Sequence, residues 1–241
     1  MTMRLDKLLA HCGYGTRSGV KSLLKSKQVT VQGEIETSAK LRVDPDHVLV
    51  RGEKVQLPLS EVHLMLHKPV GYACSHDPSE HPLMYDLLPK EWADVGPESA
   101  GRLDRNTSGL LILTSDGQLL HRLIHPNRKV GKRYRVGYEG TLARDAVQRV
   151  EEGLSLIDDD RPCQPAILEI HEPDARGNGR ATMVIHEGRY HQVRRMFSAL
   201  GAHVVELHRD RIGHFDLPED LLEGQSRLLT EEDIYALSEF A

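Results

Sequence analysis

An aspartate flanked by arginines stands directly ahead of an unbroken apolar run in Gly101-Arg102-Leu103-Asp104-Arg105-Asn106-Thr107-Ser108-Gly109-Leu110-Leu111-Ile112-Leu113. A carboxylate can act as nucleophile or base, and positive charge close by favours its ionised form. The plain alternative is that Asp104, Asn106, Thr107 and Ser108 bond only to their own backbone, as such residues usually do in loops. A second place where chemistry could reside is His186-Glu187-Gly188-Arg189-Tyr190-His191. A zincin helix, however, needs two His four residues apart on one face, and here they are five apart with Gly between them. Cys12, Cys74 and Cys163 are widely spaced and include no Cys-x-x-Cys pair, so reduced structural thiols are expected. Gly13-x-Gly15-x-x-x-Gly19 has the wrong spacing for a dinucleotide fingerprint and follows a helical pattern rather than a strand. No metal and no cofactor is expected.

The elements that must carry Asp104 can be read around it. Leu110 to Leu113, bounded by Gly109 and by Ser115-Asp116-Gly117, has the pattern of a short strand buried on both faces, a rigid post for the polar turn. His63-Leu64-Met65-Leu66-His67 is a strand candidate, and another begins at Lys132-Arg133-Tyr134-Arg135-Val136. The stretch from His76 to Pro97 reads as loop with one short helix, and Ala143 to Gly153 as an amphipathic helix. Ala166 to Ile170 and Ala181 to Ile185 are strands joined through Gly177-Asn178-Gly179, a strong turn signal. His186 to Phe197 turns from strand into helix, and Asp158-Asp159-Asp160 reads as a solvated loop. Strands interleaved with few helices predict an α+β domain with a mainly antiparallel sheet.

The first 60 residues differ in character. They hold 10 Lys+Arg and 6 Asp+Glu, a net of +4, whereas residues 61–241 hold 21 and 30, a net of −9, within a total of −5. A basic head on an acidic body is expected to meet a polyanion. Leu5, Leu8, Leu9 and Cys12 fall at helical spacing ahead of Gly13. A second helix over about 17–27 sets Arg17, Lys21 and Lys25 in one basic stripe opposite Val20, Leu23 and Leu24. Gly19 inside it, costing up to about 1 kcal/mol against Ala, delays its start. Val29 to Ile35 reads as a hairpin about Gln32-Gly33, and Leu57-Pro58-Leu59-Ser60 as a linker. The expected domains are 1–57 and 62–241, joined through 58–61. No apolar run approaches the eighteen or so residues of a membrane span, and the N-terminus has no signal-peptide core, so the cytoplasm is expected.

Several of these runs resemble one family. Gly101-Arg102-Leu103-Asp104, Thr107, Gly109-Leu110-Leu111, Leu113-Thr114 and Asp116-Gly117 match the signature of the RsuA-type pseudouridine synthases, as do Lys68-Pro69-Val70-Gly71-Tyr72 and Glu187-Gly188-Arg189-Tyr190-His191-Gln192-Val193-Arg194-Arg195-Met196. Arg4 to Leu9, Thr16-Arg17-Ser18 and Val29 to Gly33 resemble the small RNA-binding domain named after ribosomal protein S-four. The resemblance continues through Arg209, Ile212-Gly213 and Gly224 to Glu232, and Gly71 to Ser75 and Val204 to Arg209 look closest to members acting on the small ribosomal subunit.

The resemblance implies isomerisation of uridine to pseudouridine in small-subunit (16S) ribosomal RNA or an assembling small subunit, by a monomer. Asp104 would be the catalytic carboxylate, paired with Arg194, and Tyr134 would stack on the flipped uracil. Arg102 would help fill the vacated stack, Leu229 would lie against the base, and Lys68, beside the cleft, would bind the RNA or its base. Arg17, Lys21 and Lys25 would contact RNA. The reaction breaks the bond from ribose carbon 1′ to uracil nitrogen 1 and rejoins the base through carbon 5, with no redox change or group donor. The alternatives are the same reaction on large-subunit RNA, a non-catalytic RNA-binding assembly factor, and a glycosidase-like hydrolase, which would want a second carboxylate across the cleft.

Overall fold

The computed structural model describes residues 2–16, 19–55, 61–125, 128–157 and 159–239. Arg17, the Leu57 to Ser60 linker and Asp158 lie outside these residues. The chain divides into two compact units, Met1–Ser60 and Glu61–Ala241.

In the first unit β1 (Met3–Arg4) leads into α1 (Leu5–His11), followed by α2 (Val20–Lys25), β2 (Val29–Val31), β3 (Glu34–Ile35), β4 (Arg42–Val43), β5 (Val48–Val50) and β6 (Glu53–Lys54). Its sheet runs β3-β2-β5-β6, with β1 paired to β4. Gln32 and Gly33 both take positive φ, 53° and 87°, which matches the twist of the β2–β3 hairpin. Val20 and Leu24 pack with Leu5, Leu8, Leu9 and the strand valines, leaving Lys21 and Lys25 exposed on α2. The described helix begins only after Gly19, as the cost of Gly within a helix predicts.

The second unit is built on one sheet. Its elements are β7 (His63–Lys68), α3 (Lys90–Ala93), β8 (Glu98–Ser99), β9 (Ser108–Thr114), α4 (Gly117–Ile124), β10 (Lys132–Gly140), α5 (Ala146–Glu152), β11 (Ile167–His171), β12 (Gly179–Ile185), α6 (Gln192–Ala199), β13 (Ala202–Ile212), β14 (Phe215–Asp216), β15 (Ser226–Leu228) and α7 (Glu231–Glu239). The strand order is β11-β12-β10-β13-β9-β7-β15, with β14 on β13 and β8 on β9. Among these pairs β9 and β13 run parallel, and the rest run antiparallel. The domain is thus α+β with an antiparallel-rich sheet.

All seven residues of β9 are buried, because the sheet is covered on both sides. Leu111 and Leu113 face a core with α5 and α6, whereas Leu110 and Ile112 face a second core with α4 and α7. Gly109 makes the parallel junction possible. At φ +117° its backbone lies so close to β13 that a Cβ would stand 2.1 Å from the Arg209 carbonyl oxygen.

Candidate active site

The polar turn before β9 is held at every carbonyl from residue 104 to 107. Lys68 Nζ donates to Asp104 O at 3.2 Å and to Thr107 O at 2.7 Å, and also to Pro69 O at 3.0 Å. Gly71 N donates to Arg105 O at 2.7 Å, and Thr107 N closes the turn onto Asp104 O at 3.0 Å. Arg194, in the first turn of α6, donates Nη2 to Asn106 O at 2.9 Å and Nη1 to Val204 O at 3.0 Å. Leu103 is buried beneath the turn, its N–H directed at Cys74 Sγ. With the backbone fixed from three elements, the Asp104 side chain is half-exposed and points into a cavity of about 560 Å³.

That cavity brings together Asp104, Arg102, Tyr134 and Arg209. Tyr134 pairs with Arg209 across β10 and β13, and its hydroxyl accepts from Arg209 Nη1 at 3.5 Å. Arg209 is 1% exposed and gives Nε to Leu110 O at 2.9 Å. Its Nη2 is buried and finds no acceptor among the described residues, a donor left over for a carbonyl or anionic oxygen. Lys132 also lines the cavity, and burial, with Arg209 nearby, pulls its ammonium down to about 8. Ile185, Val193 and Leu207 supply apolar wall. A carboxylate, a tyrosine face and the spare donor of Arg209 around an apolar-walled cavity suit a flat polar base attached to a sugar.

Three expectations are corrected by this arrangement. Lys68 cannot contact RNA, because it is fully buried under the turn with its ammonium on three carbonyls, and burial pulls it down to about 8. Leu229 is not against the cavity; it packs in the second core with Met65, Leu110 and Ile112. Arg194 makes no hydrogen bond to the Asp104 carboxylate, since both terminal nitrogens serve carbonyls, and it positions the turn through Asn106 instead. Burial lowers the Arg194 pKa, and the charge of Asp104 opposes that shift. Lys21 and Lys25 belong to the other unit, exposed on α2.

His191 faces the Asp104 carboxylate, its Nε2 standing 3.6 Å from Oδ1. His191 precedes α6 in a left-handed conformation, φ 48°, with Tyr190 stacked on it at 3.9 Å. The loop that carries it is braced from below. Arg189 pairs with Glu187 and Asp159, Arg195 pairs with the other oxygen of Asp159, and Glu187 accepts from Gln192 Nε2 and Gln164 N. Asp159 is therefore an ion-pair hub rather than part of a solvated loop. In the sequence His191 is a rejected zinc ligand and one member of the family-like run, with no role of its own, and a left-handed non-glycine residue has no local signal.

Residues 62–199 match the family model described as RNA pseudouridylate synthase, and residues 3–56 match that of the S4 domain. The chain is 40% identical to Ribosomal small subunit pseudouridine synthase A of Escherichia coli (strain K12), over 96% of this chain and 98% of that one. It is also 40% identical to an uncharacterized RNA pseudouridine synthase of Bacillus subtilis (strain 168), covering 98% and 99%. A solved structure titled "Crystal structure of pseudouridylate synthase" superposes with a TM-score of 0.68 at 36% identity, covering 98% and 99%.

Proposed function

The chain belongs to the RNA pseudouridylate synthase family, and from that premise we propose that it isomerises one uridine of small-subunit ribosomal RNA to pseudouridine. The observation that carries the chemistry is the Asp104 carboxylate, held by a fully tied turn at the wall of a cavity with Tyr134 and Arg209 on its floor. The choice of RNA is supported by relatives named for the small subunit, of which the chain covers nearly the whole length.

In this reading a uridine is flipped out of its stack, at a cost of a few kcal/mol, and enters the cavity. Arg102, exposed at the cavity, helps to fill the place it leaves. Asp104 acts as nucleophile or base while the bond from ribose carbon 1′ to nitrogen 1 breaks. The uracil turns against the face of Tyr134, held by its carbonyls to Arg209 Nη2 and Lys132. Carbon 5 joins carbon 1′ and loses its proton, and nitrogen 1 gains one, so the product is an isomer of the substrate. Leu207 and Ile185 keep the space beside the base apolar. The exposed Lys21 and Lys25 of the first unit hold the RNA by its phosphates, and the enzyme acts as a monomer in the cytoplasm.

Incubation of the pure protein with unmodified 16S RNA, free or in a partly assembled small subunit, tests the substrate. Sequencing for pseudouridine should reveal one new site. Modification confined to transfer RNA or to large-subunit RNA would overturn the assignment.

A further inference from the structure

Two histidines and a glutamate converge on the sheet face turned away from the uridine cavity. His67 lies on β7 beside Lys68, and His208 lies on β13 beside Arg209. Because side chains alternate along a strand, both imidazoles point opposite to the two cations that hold the active site. Their rings meet edge to face with centroids 5.4 Å apart.

Hydrogen bonding settles which nitrogen of His67 is free. Nδ1 lies 2.7 Å from Leu221 O, and a carbonyl only accepts, so Nδ1 carries the hydrogen and Nε2 the lone pair. Nε2 is buried and has no hydrogen-bond partner among the described residues. A ring fixed through one nitrogen by a backbone carbonyl, with the other left bare, is how metal-ligating histidines are held. His208 Nδ1 stands 2.9 Å from Ser108 Oγ, a hydroxyl able to accept from it and leave Nε2 as the ligand nitrogen.

The third group is already in place. Glu223 Oε1 lies 3.9 Å from His67 Nε2, and the loop that carries it is fastened to His67 on both sides, by Gly224 N to His67 O at 2.8 Å and His67 N to Gln225 O at 3.0 Å. One nitrogen of each histidine and one oxygen of Glu223 all lie within 4.8 Å of one another. Bond lengths near 2.1 Å to a tetrahedral ion put neighbouring ligand atoms about 3.4 Å apart, so the remaining closure is small. The exposed Glu223 side chain is free to supply it. Two neutral imidazoles and one carboxylate suit a borderline-soft divalent ion, with water completing the shell.

We propose that His67, His208 and Glu223 bind one divalent ion of the zinc type, tying the loop at residues 221–225 to β7 and β13 and taking no part in the isomerisation. This inference does not depend on which RNA the enzyme modifies. The competing arrangement is a protonated His67 paired with Glu223, which needs no metal.

Chelator-stripped full-length protein titrated with Co²⁺ and then Zn²⁺ distinguishes the two. The site predicts one equivalent of saturable Co²⁺ uptake, with the visible bands of a four- or five-coordinate ion, displaced by Zn²⁺, and a thermal midpoint raised by Zn²⁺. Glu223→Gln, at an exposed position, should weaken Zn²⁺ binding at least tenfold, and His208→Asn should remove it. Only the spectrum of hydrated Co²⁺, or uptake unchanged in Glu223→Gln, would overturn the proposal, as would a Glu223→Gln effect confined to the protonation of His67.

Discussion

Lys68 is the side chain on which the geometry of Asp104 most depends, because one buried ammonium satisfies three carbonyls, two of them in the Asp104 turn. Lys68→Met should leave the buried Thr107 carbonyl without this donor, at about 1–3 kcal/mol of stability, whereas Asp104 O keeps its bond from Thr107 N. By letting the turn shift it should also lower kcat on the order of 100-fold. Its pH dependence has a definite sign. Lys68 titrates at about 8 in the fold against 10.5 in the open chain, so between those values the unfolded state binds more protons. Stability from this group therefore rises with pH, and the gap between wild type and Lys68→Met should widen from pH 7 to pH 10 in chemical denaturation. A gap that stays constant would contradict the buried ammonium. A role for Arg194 near Asp104 was legible in the motif, but its contact is with a backbone carbonyl, and sequence spacing does not distinguish a carboxylate from a carbonyl as acceptor.

At the scale of elements, the site exists because β9 and β13 run side by side in parallel, bringing the end of the Asp104 turn next to Arg209. Gly109→Ala places a methyl group inside the Arg209 backbone at a positive φ, and should cost about 3 kcal/mol or more. A change in the denaturation midpoint equivalent to less than 1 kcal/mol would show that the junction is looser than described. The sequence exposed β9, α1 and the β2–β3 hairpin because each follows a clean rule: an apolar run, a 3.6-residue period, and a Gly turn between alternating strands. It concealed β13, since Arg209 and Asp210 are buried in it and interrupt the apolar alternation. Asp210 is held there by Arg133 and Arg135 of β10, a pairing across 75 residues and more that no local pattern reveals. It also concealed α4, whose eight residues bury only Leu119 and Leu123 and begin at a glycine, with Asp116 as its cap. The first unit's core was accessible as the apolar sides of its two helices, whereas the division of the second unit's interior into two cores was not.

For the whole molecule, the proposed function puts RNA binding on the basic unit and chemistry in the other. If Lys21 and Lys25 meet phosphates, replacing both by Ala should flatten the slope of log K against log salt by about 1.4, taking about 0.7 per contact. The uridine chosen should stay the same, because phosphate contacts carry no sequence information. An unchanged slope would remove α2 from the RNA interface. The central claim, that the Asp104 carboxylate breaks and remakes a glycosidic bond within one uridine, is tested most directly by tritium release. Small-subunit RNA labelled at uracil carbon 5 should lose one tritium per modified site with the wild-type protein. With Asp104→Asn it should lose none, while RNA affinity and melting temperature stay close to wild type. Appreciable release by the pure variant, or no release by the wild type while the RNA is bound, would contradict the account.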